Sequence, residues 1–336
     1  MLDTKILRER ARELGIEIRI CPALSFPEES ERIKFQVKQG LFIDPADWND
    51  IDNFCNVQSI FPEAKSIISS CLFYLTSDEP DPSSPGNPYG LIARYTARNY
   101  YRELKLRLKK LGQFLKNNYG ANFVAHSCGP LAEKPIAQHS GIGYYGKHSI
   151  IINPLYGSWI VLGEIITDLE FEPDESVKIE CGECRQCIDA CPTRAIIKPY
   201  IIDRRRCIQA LTNWLGEIPE DIARVWGNRL YGCTTCQDVC PRNRWIKPEP
   251  PKTEIGVVGN YLPLIEILRM DEKTYRKKFV NNQISARWIH FEAIKRNALL
   301  ALGNIRDRKT IPILKKFAKK DNQLLKKTAE WALKQF

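Results

Sequence analysis

No stretch of this sequence is apolar for long enough to cross a bilayer. The most apolar segment, Ser149 to Thr167, is broken by Asn153, Pro154, Gly157 and Glu164, whereas a spanning helix needs about 20 uninterrupted apolar residues. It reads instead as two strands. The N-terminus, MLDTKILRERARELGI, lacks the apolar core and the small-residue cleavage site of a secretory signal, so a cytoplasmic protein with no membrane partner is expected. Tracts biased enough to remain disordered are also missing. Hydrophobic residues make up 43% and charged residues 27%, the composition of a globular chain. What the sequence does have in quantity is cysteine, 12 in 336 residues. In a short secreted chain they would suggest disulfides, but here the chain is long and eight of them are spaced for metal. A reducing compartment follows.

Those eight fall in two runs and one isolated position. CGECRQCIDACP holds Cys181, Cys184, Cys187 and Cys191; CTTCQDVCP holds Cys233, Cys236 and Cys240; Cys207 lies between. The first run has the C-x2-C-x2-C-x3-C-P spacing of bacterial ferredoxins, in which three closely spaced thiolates hold one cubane and the fourth ligates the other cluster. The assignment is therefore Cys181, Cys184, Cys187 and Cys240 to one [4Fe–4S] cluster, and Cys191, Cys207, Cys233 and Cys236 to a second. Structural zinc on paired CxxC motifs is the alternative, but zinc sites need no Cys-Pro swap and close locally. Two adjacent cubanes make an electron wire, and the remaining residues must hold whatever receives the electrons. Of the cysteines outside the motif, Cys21, Cys55 and Cys71 read as small core hydrophobes.

Length predicts two or three domains, and the pattern along the chain suggests three. Residues 1–170 alternate helix and strand signals, with helices at Thr4 to Leu14 and Tyr100 to Tyr119, where Leu104, Leu108, Leu111 and Leu115 form one stripe. Strands are predicted at Ser66 to Leu75, Asn122 to His126, Ser149 to Asn153 and Trp159 to Thr167. The expected fold is α/β or α+β, with a surface loop over the proline-rich Ser77 to Gly90. Residues 171–250 form the ferredoxin-like module. Residues 251–336 are helical and read as a HEAT-like tail, whose helices at Ala293 to Asn304, Thr310 to Lys320 and Leu324 to Phe336 must dock on the rest to bury their apolar faces. Charge is concentrated there: Asn281 to Phe336 carries 13 Lys or Arg against 4 Asp or Glu, a net +9 of the chain's +10. Such a region suits a polyanion such as RNA; a solvated helix surface is the plainer reading.

Taken together, FPEAKSIIS (Phe61 to Ser69), GLIARYTARNYYRELKLRLKKL (Gly90 to Leu111), PLAEKPIAQHSGIGYYGKHSIIINPLYGSWIVLGEIITDL (Pro130 to Leu169), both cysteine runs and KRNALLALGN (from Lys295) resemble the epoxyqueuosine reductase family, in order and over nearly the whole chain. The resemblance implies a base-off cobalamin in the α/β domain and electrons passing through both clusters to cobalt. It implies the epoxide of a modified tRNA nucleoside as substrate, tRNA held by the helical tail, and a reduced flavodoxin- or ferredoxin-type donor. A monomer is expected. No D-x-H-x-x-G is present to offer cobalt a histidine. The segment Ser140 to Ser149 is the candidate cofactor cradle, through Ser140, Gly141, Gly143, Tyr145, Gly146, Lys147 and His148; glycines admit close backbone approach, and a tight turn is the alternative.

The chain departs from the family in two places. Where members carry an acid thought to donate the proton for carbon–oxygen cleavage, this sequence reads HSCGPLAEK, with Ser127 at the acidic position. A serine hydroxyl cannot replace a carboxylic acid near neutral pH, so His126, Ser127 and Cys128 are the candidate catalytic group, with His126 best matched in pKa. Gly40 to Pro62 also replaces the family's N-terminal pocket segment. These departures leave open a corrinoid-dependent reductase of another substrate, as in reductive dehalogenases, or a non-catalytic electron carrier.

Overall fold

The computed structural model describes residues 4–43 and 50–336. Its centre is a four-stranded antiparallel sheet in the order Glu17–Pro22, Ser66–Phe73, Ile160–Thr167, Phe123–His126. The two middle strands are buried nearly throughout because helices cover both faces. Residues of one parity, including Ile68, Leu72, Val161 and Ile165, pack on the leucine stripe of the helix Tyr100–Tyr119 and on Leu7 and Ala11 of Lys5–Glu13. Those of the other parity, Ile67 and Ile166, meet Leu131, Ala132 and Ile136 at the start of the helix Glu133–His139. A strand sandwiched in this way reads as an unbroken apolar run rather than an alternation. Cys21, Cys55 and Cys71 are all in these cores, at most 3% exposed.

A second sheet joins distant parts of the chain. Tyr89–Ile92 lies in its middle, parallel to Arg229–Tyr231 and antiparallel to Tyr261–Pro263. Below it the tail helices Phe291–Ile305, Ile311–Phe317 and Gln323–Leu333 pack through Leu299, Leu302, Leu314, Phe317 and Ala329. The apolar faces of the tail are thus covered, as the sequence demanded. Several elements differ from expectation, two of them in or beside the first sheet. Ser149 to Asn153 forms a ladder over Ile151–Ile152, against Tyr144–Tyr145, with an isolated bridge from Asn153 to Gly157, and Glu17–Pro22 is a strand that the sequence pattern does not announce. No helix among the described residues is long and apolar enough to cross a membrane.

Candidate functional site

The cluster cysteines sit on and on either side of one-turn helices, Gln186–Asp189 in the first run and Thr235–Asp238 in the second, with Cys207 just before Ile208–Leu211. Their mutual electrostatics group them into two neighbouring sets that touch through Cys187 and Cys236. Burial pushes the Cys187 thiol up to about 11, and charge on Cys240, Cys181 and Cys184 pushes in the same direction. Cys240 is raised by burial and by Cys181 and Cys184. Cys207 is raised by burial and then by Cys233 and Cys191, and Cys236 stands closest to Cys233 and Cys207, then to Cys187 of the first set and to Cys191. Thiols crowded in this way favour iron, which binds the thiolate and removes the repulsion. Among the described residues no three His, Cys, Asp or Glu side chains converge as they would on a single ion. The Ala195 N–H donates to Cys191 Sγ at 3.3 Å, the kind of hydrogen bond that tunes a cluster.

We infer a cleft beside the second set from five neighbouring residues. Cys128, Glu133, Lys134, Cys207 and Cys236 are each surrounded by protein yet still reach solvent, the combination found on the wall of a deep cleft. Their neighbours describe the rest of the wall. Tyr101 and Tyr231 both stand close enough to Cys128 to feel its charge, and Lys134 is similarly close to Cys207 and Glu29.

His126, Ser127 and Cys128 close one side, at the end of the strand Phe123–His126. Cys128 has φ +56, in the left-handed region unusual for a residue with a side chain. Glu133 holds it there by accepting the N–H of Cys128 and, at 3.3 Å, that of Gly129. Ser127 is turned inward: its hydroxyl donates to the Leu162 carbonyl at 2.7 Å. Burial, helped by Lys105, lowers the pKa of His126, so its imidazole is neutral at pH 7. The Cys128 thiol is pushed up to about 11 by burial and by the charges of Glu133 and Glu164. None of the three is an acid matched to neutral pH.

The glycine segment borders the same cleft, since Lys134 Nζ donates to the Ser149 carbonyl at 2.8 Å. Its glycines answer to the protein itself. A Cβ at Gly141 would lie 2.2 Å from the Glu175 carbonyl oxygen, one at Gly143 2.5 Å from that of Ile152, and one at Gly146 2.5 Å from the His148 ring. Close packing of the chain on itself therefore accounts for all three, as in the tight-turn alternative. Ser140 is fully buried, Tyr145 Oη donates to Glu29 at 3.5 Å, and the His148 ring is 4% exposed. Lys147 reaches the other way: its Nζ donates to the carbonyls of Gly182 and Cys184, at 2.5 and 2.9 Å, and so fastens the first cysteine loop.

Sequence reasoning missed two residues here. Glu133 follows the HSCGPLA segment, and Glu164 lies opposite His126 in the sheet ladder, 1% exposed. The signal for Glu164 was a carboxylate in the otherwise apolar run WIVLGEIIT. In the altered N-terminal segment, residues 44–49 lie outside the described part. Its far end is tied to the cleft by the Ala132 N–H, which donates to the Phe54 carbonyl at 2.9 Å.

Residues 180–243 match the family model for a 4Fe-4S double cluster binding domain, and residues 55–128 the model described as epoxyqueuosine reductase QueG, DUF1730. The chain is 32% identical to the epoxyqueuosine reductase of Bacillus subtilis, spanning 97% of this chain and 86% of that protein. It is 35% identical to that of Escherichia coli, spanning 82% and 74%. A solved structure of epoxyqueuosine reductase with a tRNA-Tyr epoxyqueuosine-modified stem loop superposes with TM-score 0.89 at 31% identity, covering 99% of this chain and 89% of that one. The structure from Streptococcus thermophilus does so with TM-score 0.89 at 28% identity, covering 99% and 90%. Agreement in both cluster module and N-terminal segment, over nearly the full length, establishes that the chain belongs to the epoxyqueuosine reductase family.

Proposed function

We propose that this protein reduces epoxyqueuosine to queuosine in tRNA, drawing electrons through its two clusters from a reduced flavodoxin- or ferredoxin-type donor. The observation that supports the reading is that Lys134 neighbours both Cys207 and Glu133, whose carboxyl accepts the Cys128 N–H, so the second set and the loop His126 to Cys128 lie near one another.

The cleft fits a base-off cobalamin. Tyr101, Tyr231, Lys134 and the backbone around Cys128 would hold it, with Tyr145 in the segment behind, where Lys147 and His148 serve the protein's own packing. The Nε2 atoms of His126 and His148 are both enclosed and without a partner, so neither is offered to a metal in the cleft, in keeping with a cofactor that takes no protein ligand. When bound, cobalamin would supply a strongly reducing cobalt centre for carbon–oxygen cleavage. The protein's own residues orient the epoxide, exclude bulk water and provide the proton.

The solvent face of the tail suits the tRNA backbone, with Lys315, Lys316, Lys319 and Lys320 exposed along and after the helix Ile311–Phe317. A small halogenated substrate would need no such surface, which favours tRNA over a dehalogenase-like role. We take the working unit to be a monomer. The test is anaerobic reconstitution with iron, sulfide and cobalamin, followed by incubation with epoxyqueuosine-containing tRNA and a chemical reductant. Queuosine in the digested nucleosides is the expected result. Unchanged epoxyqueuosine with all cofactors in place would defeat the proposal.

A further inference from the structure

Two carboxyl groups lie behind the His126 to Gly129 loop. The first, Glu133, opens the helix Glu133–His139. One of its oxygens accepts the N–H groups of Cys128 and Gly129, which fixes the carboxyl against the loop while the side chain still reaches the cleft. The second, Glu164, is on the strand Ile160–Thr167 opposite His126, and both its oxygens are enclosed with no hydrogen-bond partner.

An unpartnered carboxylate in such a place is strongly disfavoured, so the group keeps its proton instead. Burial accordingly holds Glu164 well above the ordinary carboxyl range, with the charge of Glu133 acting in the same direction and Lys105 against it. Glu133 is pushed up to about 7 by burial, against the Cys128 and Gly129 N–H bonds and Lys134. The groups facing the pair are Cys128 from the loop, Lys134 from the same helix, Tyr101 and Lys105 from the helix Tyr100–Tyr119, and His126 across the ladder. Two interacting carboxyl groups that cannot both ionise keep an acid available at neutral pH.

We propose that Glu133 donates the proton to the oxygen released when the epoxide opens, with Glu164 as the neutral carboxyl that backs it. The inference rests on the reductase reading above. It supplies what the sequence lost at Ser127. Removing an epoxide oxygen to leave a carbon–carbon double bond breaks two carbon–oxygen bonds. It consumes two electrons, delivered from the external donor through the clusters, and two protons, and the oxygen leaves as water. Glu133 protonates the oxygen when the first bond breaks and is reprotonated from solvent in the cleft. A second proton then converts the hydroxyl into departing water.

The donor must be protonated, so turnover by the parent should fall as pH rises through about 7. Glu133→Gln keeps an oxygen for the Cys128 and Gly129 N–H groups. It should lower turnover by about 10²–10⁴-fold with cluster absorbance and tRNA affinity unchanged. Glu133→Asp should keep a weaker activity with a basic limb. An infrared titration supplies the readout that does not depend on activity: a protonated-carboxyl band lost near pH 7 in the parent should be missing from Glu133→Gln. Parental turnover and pH profile in Glu133→Gln, with an active parent, would overturn the donor role alone. A parent inert on the epoxide would overturn the reductase reading and the donor role with it, while the infrared titration would still decide whether the carboxyl holds its proton.

Discussion

Arg296 of the tail donates through Nη2 to the backbone carbonyl of Leu211 in the cluster module, at 2.6 Å. Its Nη1 also serves the carbonyls of Trp214 and Gly216, both at 2.7 Å, and the side chain is fully buried. Burial lowers its pKa to about 9, which leaves it charged at pH 7. A guanidinium fork is well shaped to satisfy several carbonyls at once, and the neighbouring Asn297 adds bonds to Thr212 and Leu230. Tail and cluster module are thereby joined through backbone carbonyls that a single buried side chain satisfies.

Arg296→Met should therefore destabilise the protein by about 3 kcal/mol, since it strands buried carbonyls. Anaerobic denaturant titration measures this directly. An unchanged midpoint would mean that the carbonyls find other partners and that Arg296 does not secure the tail.

The exchange of ligands between the two cysteine runs makes a distinctive prediction. Cys240→Ala should perturb the same cluster as Cys181→Ala, although Cys240 belongs to the later run, and Cys191→Ala should match Cys207→Ala. The parent should hold about eight iron atoms per chain. Electron paramagnetic resonance of the reduced variants can sort them. Spectra pairing Cys240 with Cys233 would refute the crossed assignment.

The tail is too deeply built into the second sheet, through Tyr261–Pro263, to be removed cleanly, so its role in tRNA binding is better tested on its surface. Lys315, Lys316 and Lys319 are exposed. Their triple replacement by Glu should weaken tRNA binding and flatten its dependence on salt, the slope changing by about one for each phosphate no longer neutralised. Cluster content should not move. Equal affinity and equal slope would assign these charges to solvation alone.

Much of this was legible in the sequence because its signals were local or strongly periodic. The leucine stripe of Tyr100–Tyr119 matches its helix end to end, and the Cys-Pro spacing by itself implies the two thiol sets. The second sheet was not legible: its strands are three or four residues long and come from distant parts of the chain, leaving no period to detect. Glycine was ambiguous for another reason. Gly141 and Gly143 do allow close approach, but the approaching atoms are the chain's own carbonyls, and sequence alone cannot tell backbone from ligand. The acid was hidden by position, since the motif directs attention to Ser127 while the carboxyl that faces its loop, Glu133, lies further along the chain at the start of the next helix.

Lys147→Met tests whether the glycine segment supports the first cluster. The variant loses both bonds to the cysteine loop, at Gly182 and Cys184, but no ligand. Iron occupancy of the first cluster should fall, or its air sensitivity rise, with the second cluster unchanged. Equal loss from both clusters would point to a general folding defect instead.

The last prediction concerns acid stability. His148 is 4% exposed; it accepts the Ile150 N–H at Nδ1, and its Nε2 has no partner. Burial, aided by the charge of Lys134, lowers its pKa from 6.5 to about 4. The depressed value belongs to a base, so the unfolded chain takes up a proton that the folded chain refuses between pH 6.5 and about 4. The stability contributed by neutral His148 is complete above that window and is lost as pH falls through it, at about 1.4 kcal/mol per pH unit. Glu133 has the opposite sign, because a raised carboxyl pKa favours the folded state at low pH. The comparison must therefore be between the parent and His148→Asn, in which Glu133 is common to both. The variant should be less stable than the parent at pH 7 and lose less on going to pH 5, a difference of about 2 kcal/mol by denaturant titration. Parallel pH dependences in the two proteins would show that His148 takes up its proton without unfolding.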